Sequence, residues 1–153
     1  MKVYLATDHG GFYLKQELKS YLDKEGHKVV DIGNTVYQKD DDYPEFILKL
    51  AEEVAKDKSS LGIVLGRSGV GEAIAANKVA GIWAALCQSP ALAQKAREHN
   101  NINVLSLGAD FTNPTTAKKI VDSFLKTRFS KASRHKRRLD SIKKYETNHI
   151  KRS

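Results

Sequence analysis

Leu61-Gly62-Ile63-Val64-Leu65-Gly66-Arg67-Ser68-Gly69-Val70-Gly71-Glu72 passes from an unbroken apolar run into a glycine-rich turn, and Ala73-Ile74-Ala75-Ala76-Asn77-Lys78 continues with helix-like composition. The apolar run reads as a buried strand. The glycines let the backbone turn tightly and approach a ligand closely. The first free N–H groups of a following helix aim into such a turn and favour an anion there. A hydroxyl, Ser68, and a carboxylate, Glu72, share the turn, a combination suited to chemistry on an anionic or polarised small molecule. The turn is not a P-loop, which needs Lys-Ser/Thr directly after its last glycine where Glu72 and Ala73 stand. Nor is it a dinucleotide fingerprint, whose third glycine is replaced by Ile74. A strand-to-helix turn with a plain packing role is the alternative.

Outward from this turn, strand-like and helix-like segments alternate. Strands are expected at Lys2–Thr7, Val29–Ile32, Leu61–Leu65, Ile82–Leu86 and Val104–Leu107. Helices are expected at Phe12–Lys24, from Pro44 through Val54, and at Gly71–Lys78, Pro90–Glu98 and Pro114–Lys126, the last capped by Asn113. Gly26 falls where a helix C-terminal glycine is favoured. The alternation predicts an α/β fold, a Rossmann-like three-layer α/β/α sandwich around a five-stranded parallel sheet. The remaining segment, Lys131–Tyr145, carries only a narrow apolar stripe of Leu139, Ile142 and Tyr145. It is expected to dock on something, a partner subunit being the natural candidate. Residues 1–130 are therefore read as the α/β domain, and 131–153 as a basic helix and tail belonging to it.

Length and composition fit one globular domain with a real core: 153 residues, 41% hydrophobic and 29% charged. No apolar run approaches the ~20 residues of a membrane span and no signal-peptide pattern opens the chain, so no membrane role is expected. The single cysteine, Cys87, allows no internal disulfide or metal cluster and fits a reducing cytoplasm. Its place after Ile82-Trp83-Ala84-Ala85-Leu86 marks it as a buried structural residue. The net charge of +8 is uneven: residues 1–130 hold 17 Lys/Arg against 16 Asp/Glu, whereas residues 131–153 hold 9 against 2. A basic tail can bind nucleic acid, clamp a phosphate or dock on an acidic neighbour. The near-neutral body and the lack of interleaved aromatics in the tail argue against nucleic acid.

Ligands of open parallel sheets bind beyond the carboxyl ends of the strands. Four polar clusters are expected to converge there: Asp8-His9-Gly10-Gly11, Tyr43, the Gly66–Glu72 turn, and Arg97-Glu98-His99-Asn100-Asn101 at a helix end. Separately, Asp8 reads as a helix cap, His9 and His99 as surface histidines, and Tyr43 as an aromatic covering the sheet edge.

Taken together, these clusters resemble the type B ribose-5-phosphate isomerases and the related sugar-phosphate isomerases of lactose metabolism. The resemblance spans nearly the whole chain and adds Asp42-Tyr43-Pro44, Ala75-Ala76-Asn77-Lys78 and Arg134-His135-Lys136-Arg137-Arg138. Many members of that family carry a cysteine base where Gly66 stands. This chain instead is similar to the subgroup with glycine there, serine at 68 and a glutamate base at 72. The resemblance implies interconversion of ribose 5-phosphate and ribulose 5-phosphate in the pentose phosphate pathway, without metal or organic cofactor. It also implies a homodimer, or a dimer of dimers, with sites at the subunit interface. Glu72 would carry the proton between carbons 2 and 1 through an enediolate. Ser68, Asn100 and the N–H groups of the turn (Gly66, Gly69, Gly71) would hold the oxyanion and substrate hydroxyls. Asp8, His9 and His99 are candidates for ring opening, Tyr43 for lining the site, and Arg134 and Arg138 for holding phosphate, with His9 as a third contact. Two positions depart from the pattern. Arg67 stands where the subgroup has glycine, either narrowing the pocket or joining phosphate binding. Asp110 stands where many relatives carry a phosphate-binding arginine. The rival readings are an isomerase of allose or galactose 6-phosphate, a nucleic-acid binder, and a phosphate- or nucleotide-binding module.

Overall fold

Strands β1 (Lys2–Thr7) and β3 (Leu61–Gly66) lie side by side at the middle of the sheet because both are apolar on alternate faces. Val3, Leu5, Leu61, Ile63 and Leu65 point to one face; Tyr4, Ala6 and Val64 point to the other. Burial on both sides is what a central parallel strand requires. β2 (Lys28–Gly33), β4 (Ala84–Leu86) and β5 (Val104–Gly108) complete an all-parallel sheet of order β2-β1-β3-β5-β4. The computed structural model describes residues 1–150.

Helices cover both faces, completing the three layers read from the sequence. α1 (Phe12–Lys24), α4 (Pro90–Asn100) and α5 (Pro114–Lys126) pack on one face through Leu18, Leu22, Ala93, Ile120 and Phe124. α2 (Tyr43–Lys56) and α3 (Val70–Ala76) cover the other through Ile47, Leu50, Val54 and Ala76. Proline opens α2, α4 and α5, and Asn113 caps α5 by accepting a hydrogen bond from the Thr116 N–H at 2.9 Å. Among the described residues no helix is long and apolar enough to cross a membrane.

Three expected boundaries shift for local reasons. β4 begins at Ala84, not Ile82, because the Trp83 N–H donates to the side chain of Asn103 (2.8 Å) outside the ladder. α3 ends at Ala76 because Asn77 turns to pair with both the N–H and the C=O of Ala84, at 2.8 and 2.9 Å. α4 runs on to Asn100, where Asn101 adopts the left-handed conformation and closes it. The C-terminal segment is helix α6 (Ser133–His149). Leu139 is buried, while Ile142 and Tyr145 are more than half exposed. The helix lies toward the amino-terminal edge of the sheet, where Lys143 lines a groove with Leu61, Trp83 and Asn101.

β1 connects outward to β2, and the chain then crosses back over β1 to start β3. The carboxyl ends of β1 and β3 therefore flank the crevice where the winding reverses, the place ligands occupy in such sheets.

Candidate active site

Asp8 and His9 leave the end of β1 in a single tight turn. The buried Asp8 carboxylate accepts a hydrogen bond from the Gly10 N–H at 2.8 Å, fixing that turn. The expectation of Asp8 as a cap is met, and the carboxylate also reaches far enough across the crevice to influence Glu72.

Across the crevice, Gly69 carries φ +80°, a conformation that glycine adopts without strain, and a Cβ there would press on Leu86 and the Leu107 backbone. Ser106 of β5 holds the turn from beneath, its hydroxyl donating to the Gly69 carbonyl at 2.6 Å. The Ser68 hydroxyl accepts a hydrogen bond from the Val70 N–H at 3.2 Å. The Tyr43 ring, at the start of α2, lies against Gly71. Ser106 carries no motif and was not identifiable in the sequence.

Glu72 sits in the first turn of α3 and is 4% exposed. Its carboxylate lies directly over Gly66, so a Cβ at 66 would overlap it. Glycine at 66 and glutamate at 72 are thus two parts of one arrangement: the space a side chain at 66 would fill is occupied by the base candidate. The anion resting in this turn is the protein's own carboxylate. Burial pushes the Glu72 pKa above the ordinary carboxylate range, and the Asp8 charge pushes it the same way against the backbone amides of Glu72 and Gly69. A carboxyl group whose pKa is raised in this way is a stronger base than an ordinary carboxylate and can both accept and return a proton.

His9 donates its backbone N–H to Asp41 Oδ1 at 2.8 Å, and its Nδ1 lies 2.7 Å from the same oxygen. Asp41 Oδ2 accepts from the Asn34 side chain at 2.9 Å. The Asn34 carbonyl in turn accepts from the fully buried Lys15, which also pairs with Asp31 at 2.5 Å. Donor atoms of Asp8, His9 and Asp41 fall within 4.8 Å of one another. Both Asp41 oxygens and one of Asp8 are taken by hydrogen bonds, which makes the trio a bonded network and not an open ligand set.

Arg67 and Asp110, the two departures from the pattern, meet each other. Arg67 Nε donates to Asp110 Oδ2 at 3.1 Å, and the Arg67 stem lies over Gly10. Cys87 is fully buried in the core, and burial raises its pKa to about 11, so it is a structural thiol.

The fourth cluster does not converge with the others. α4 ends just before β5 begins, and Asn103, in the connection, accepts from the Gly62 N–H at the start of β3. His99 and Asn100 therefore lie at the amino-terminal edge, about 17 Å of strand away from Glu72 at ~3.3 Å per residue. Arg97 is a structural staple there, donating to the carbonyls of Ile102 and Thr127 and covering Phe124. The His99 ring stacks on His135 of α6, centroids 4.2 Å apart, and His135 pairs with the Ser130 hydroxyl at 2.8 Å. Arg134 and Arg138, exposed one turn apart on α6, flank this stack. Asp8, His9, Tyr43, Gly66, Ser68, Gly69, Gly71 and Glu72 thus form one cluster, and His99, Asn100, Arg134 and Arg138 form another at the opposite edge.

A parallel sheet with a buried, partly desolvated carboxylate at its reversal point, and a glycine cleared to receive it, defines an acid–base site for a small polar substrate. The chain belongs to the ribose/galactose isomerase family, whose pattern it matches over residues 3–142. It is 48% identical to ribose-5-phosphate isomerase B of Mycolicibacterium paratuberculosis over 149 residues, 97% of this chain and 94% of that one. Its identity to the Mycobacterium tuberculosis protein of the same name is 47%, over 97% and 92%. Among solved structures, ribose-5-phosphate isomerase B of Mycoplasma genitalium with bound ribulose-5-phosphate superposes with a TM-score of 0.91 at 41% identity, covering 95% of this chain and 96% of that one. The Clostridium thermocellum enzyme gives 0.92 at 41%, covering 97% and 99%.

Proposed function

We propose that this chain is an aldose–ketose isomerase that interconverts D-ribose 5-phosphate and D-ribulose 5-phosphate. The observation that carries the reading is the Glu72 carboxylate, buried over Gly66 and facing the crevice beside Asp8. Relatives at 47–48% identity bear the name ribose-5-phosphate isomerase B, which favours the five-carbon substrate over allose or galactose 6-phosphate. Such metabolism belongs in the cytoplasm.

In the open-chain aldose, Glu72 takes the carbon 2 proton, and the electron pair forms the carbon 1–carbon 2 double bond of an enediolate. Charge develops on the carbonyl oxygen of carbon 1. The Ser68 hydroxyl and those N–H groups of the turn not already given to Glu72 or Ser68 are the donors at hand, and losing one such donor typically costs ~3 kcal/mol. The same carboxyl group returns the proton to carbon 1 while the hydroxyl proton on carbon 2 passes to the oxygen of carbon 1, leaving a ketone at carbon 2 and a hydroxyl at carbon 1. A single carboxylate serves both halves because the planar intermediate presents one face to it. No step calls for a metal or an organic cofactor.

Opening the furanose and gripping the phosphate require further groups, and the second cluster has them: His99, Asn100, Arg134 and Arg138. Within one chain these stand at the wrong edge. They serve the reaction when a second copy brings its amino-terminal edge to this crevice, so the working unit is a dimer with two shared sites. Exposed Ile142 and Tyr145 on the otherwise basic α6 support such contact. Turnover of ribose 5-phosphate in the presence of a strong chelator tests the activity, with allose and galactose 6-phosphates as competitors. Ketose formation from ribose 5-phosphate alone is expected; preference for a six-carbon substrate, or dependence on added metal, would overturn it.

A further inference from the structure

One side chain at the crevice mouth has no part in the proton transfer just described. Arg67 follows Gly66 directly, and alternation along the chain sends its side chain to the face of Leu65, opposite the face from which Glu72 reaches over Gly66. Its stem lies over Gly10, where an added Cβ would overlap it. Its head crosses to Asp110, whose Oδ2 accepts from Nε at 3.1 Å. Gly10 leads into α1 and Asp110 precedes α5, two helices of that same face. The backbones are tied as well. The Arg67 carbonyl accepts from the Asp110 N–H at 3.0 Å, and the Gly66 carbonyl accepts from the Ala109 N–H at 2.9 Å. The side chain therefore runs as a bar past the ends of β1, β3 and β5, held at its stem and at its head.

We infer that Arg67, held by Asp110, is a specificity-determining residue: it walls the crevice on the α1/α5 side and limits the length of sugar phosphate that reaches Glu72, favouring a five-carbon chain over a six-carbon one. The inference rests on the isomerase reading. The reacting carbons must meet the Glu72 carboxylate, which rests over Gly66. On the α2/α3 side that point is closed by the helix carrying Glu72 and by the Tyr43 ring against Gly71, so the rest of the substrate extends along the other side. Consecutive Cα atoms stand ~3.8 Å apart, which puts Arg67 beside any substrate lying over Gly66. The Arg67 side chain is 71% exposed and that of Asp110 48%, so the pair adds little to stability and stands open to a ligand. The Arg67 charge is met by Asp110, which leaves the pair acting through its bulk. One carbon more against a shaped wall typically changes kcat/KM by about 10–200-fold.

The test is the ratio of kcat/KM for ribose 5-phosphate to that for allose 6-phosphate. Arg67→Gly should lower this ratio about tenfold, chiefly by improving the six-carbon substrate. Where allose 6-phosphate is not turned over, its inhibition constant against ribose 5-phosphate replaces the ratio and should fall by the same factor. Asp110→Ala, which frees the Arg67 head and leaves its stem, should lower the ratio less, by about threefold. The double variant should be no less selective than Arg67→Gly alone, because Asp110 acts through Arg67. A side chain that only braced the loops, or one that gripped the phosphate both substrates share, would on removal weaken both substrates alike. An unchanged ratio in a folded Arg67→Gly protein that still turns over ribose 5-phosphate therefore overturns the inference alone. If Arg67→Gly does not fold, Asp110→Ala decides, and an unchanged ratio there overturns it. A wild type that turns over neither sugar phosphate would defeat the isomerase reading and this inference with it.

Discussion

The two edges of the sheet are built on different principles. At the carboxyl-terminal edge the functional groups are buried carboxylates, Asp8, Asp41 and Glu72, each set by neighbouring backbone or side chains. At the amino-terminal edge they are exposed cations on a helix surface, tied down by the His99–His135 stack, the Ser130–His135 pair and the buried Leu139. The contrast follows from the chemistry each edge supplies. Moving a proton to and from carbon needs a desolvated carboxylate fixed within a fraction of an ångström. Catching a dianion needs cations that stay hydrated until the ligand arrives. Under the proposed shared-site reading, the first edge is one half of a site and the second is the side that a partner would bring to it.

Glu72→Gln should break the first edge most severely. Turnover and exchange of the substrate carbon 2 proton should fall by about 10²–10⁴-fold, the usual worth of a general base. Stability should move the other way. Because the folded pKa of Glu72 is raised, the native protein binds more protons than the unfolded chain between 4.5 and that raised value, so stability drains away as pH climbs through this window. Urea unfolding should therefore show the variant gaining on wild type across that range and holding the gain at neutral pH. A variant less stable than wild type at pH 7 would mean that the carboxylate is not desolvated in solution.

Gly66→Ala sharpens the same point without touching the carboxylate. The added methyl overlaps the resting place of Glu72 and should cost about 100-fold in turnover by misplacing the base. Unaltered kinetics in a folded Gly66→Ala protein would show that Glu72 works from another position. Smaller still is Cys87→Ala. With a thiol buried and held at about 11, it should keep full turnover and lose about 1 kcal/mol from the cavity. A large loss of kcat there would point to thiol chemistry. Least of all, Asp110→Ala should change stability by no more than about 0.5 kcal/mol, since its pair with Arg67 is largely exposed. A greater loss by thermal unfolding would show that the pair braces the β3 and β5 loops.

Much of this was legible because local chemistry left little choice. The apolar runs of β1, β3 and β5, the prolines opening α2, α4 and α5, and the Asn113 cap set their elements to within a residue or two. The Gly66–Glu72 pairing was legible in outline; that the carboxylate fills the space over Gly66 needed the fold. The Arg97–Asn101 cluster was assigned to the wrong edge, although element order carried the answer: whatever closes a helix before a parallel strand lies at the amino-terminal edge. Asp41 was hidden in the run Asp40-Asp41-Asp42, whose members look alike until one turns inward onto His9. The Arg67–Asp110 pair spans 43 positions and exists only because β3 and β5 are neighbours.

The central claim is that each site takes Glu72 from one chain and Arg134 and Arg138 from another. Glu72→Gln and Arg138→Ala, each inactive or nearly so and each shown to fold, should be mixed in equal amounts under conditions that let subunits exchange. With shared sites, every mixed dimer holds one site with native Glu72 from one chain and native Arg138 from its partner. Random exchange then restores about a quarter of wild-type activity in a two-fold dimer. If both residues served the same chain's site, every site in the mixed dimer would keep one defect. Activity no greater than the sum of the two parents, with mixed dimers demonstrated, would contradict the shared-site account.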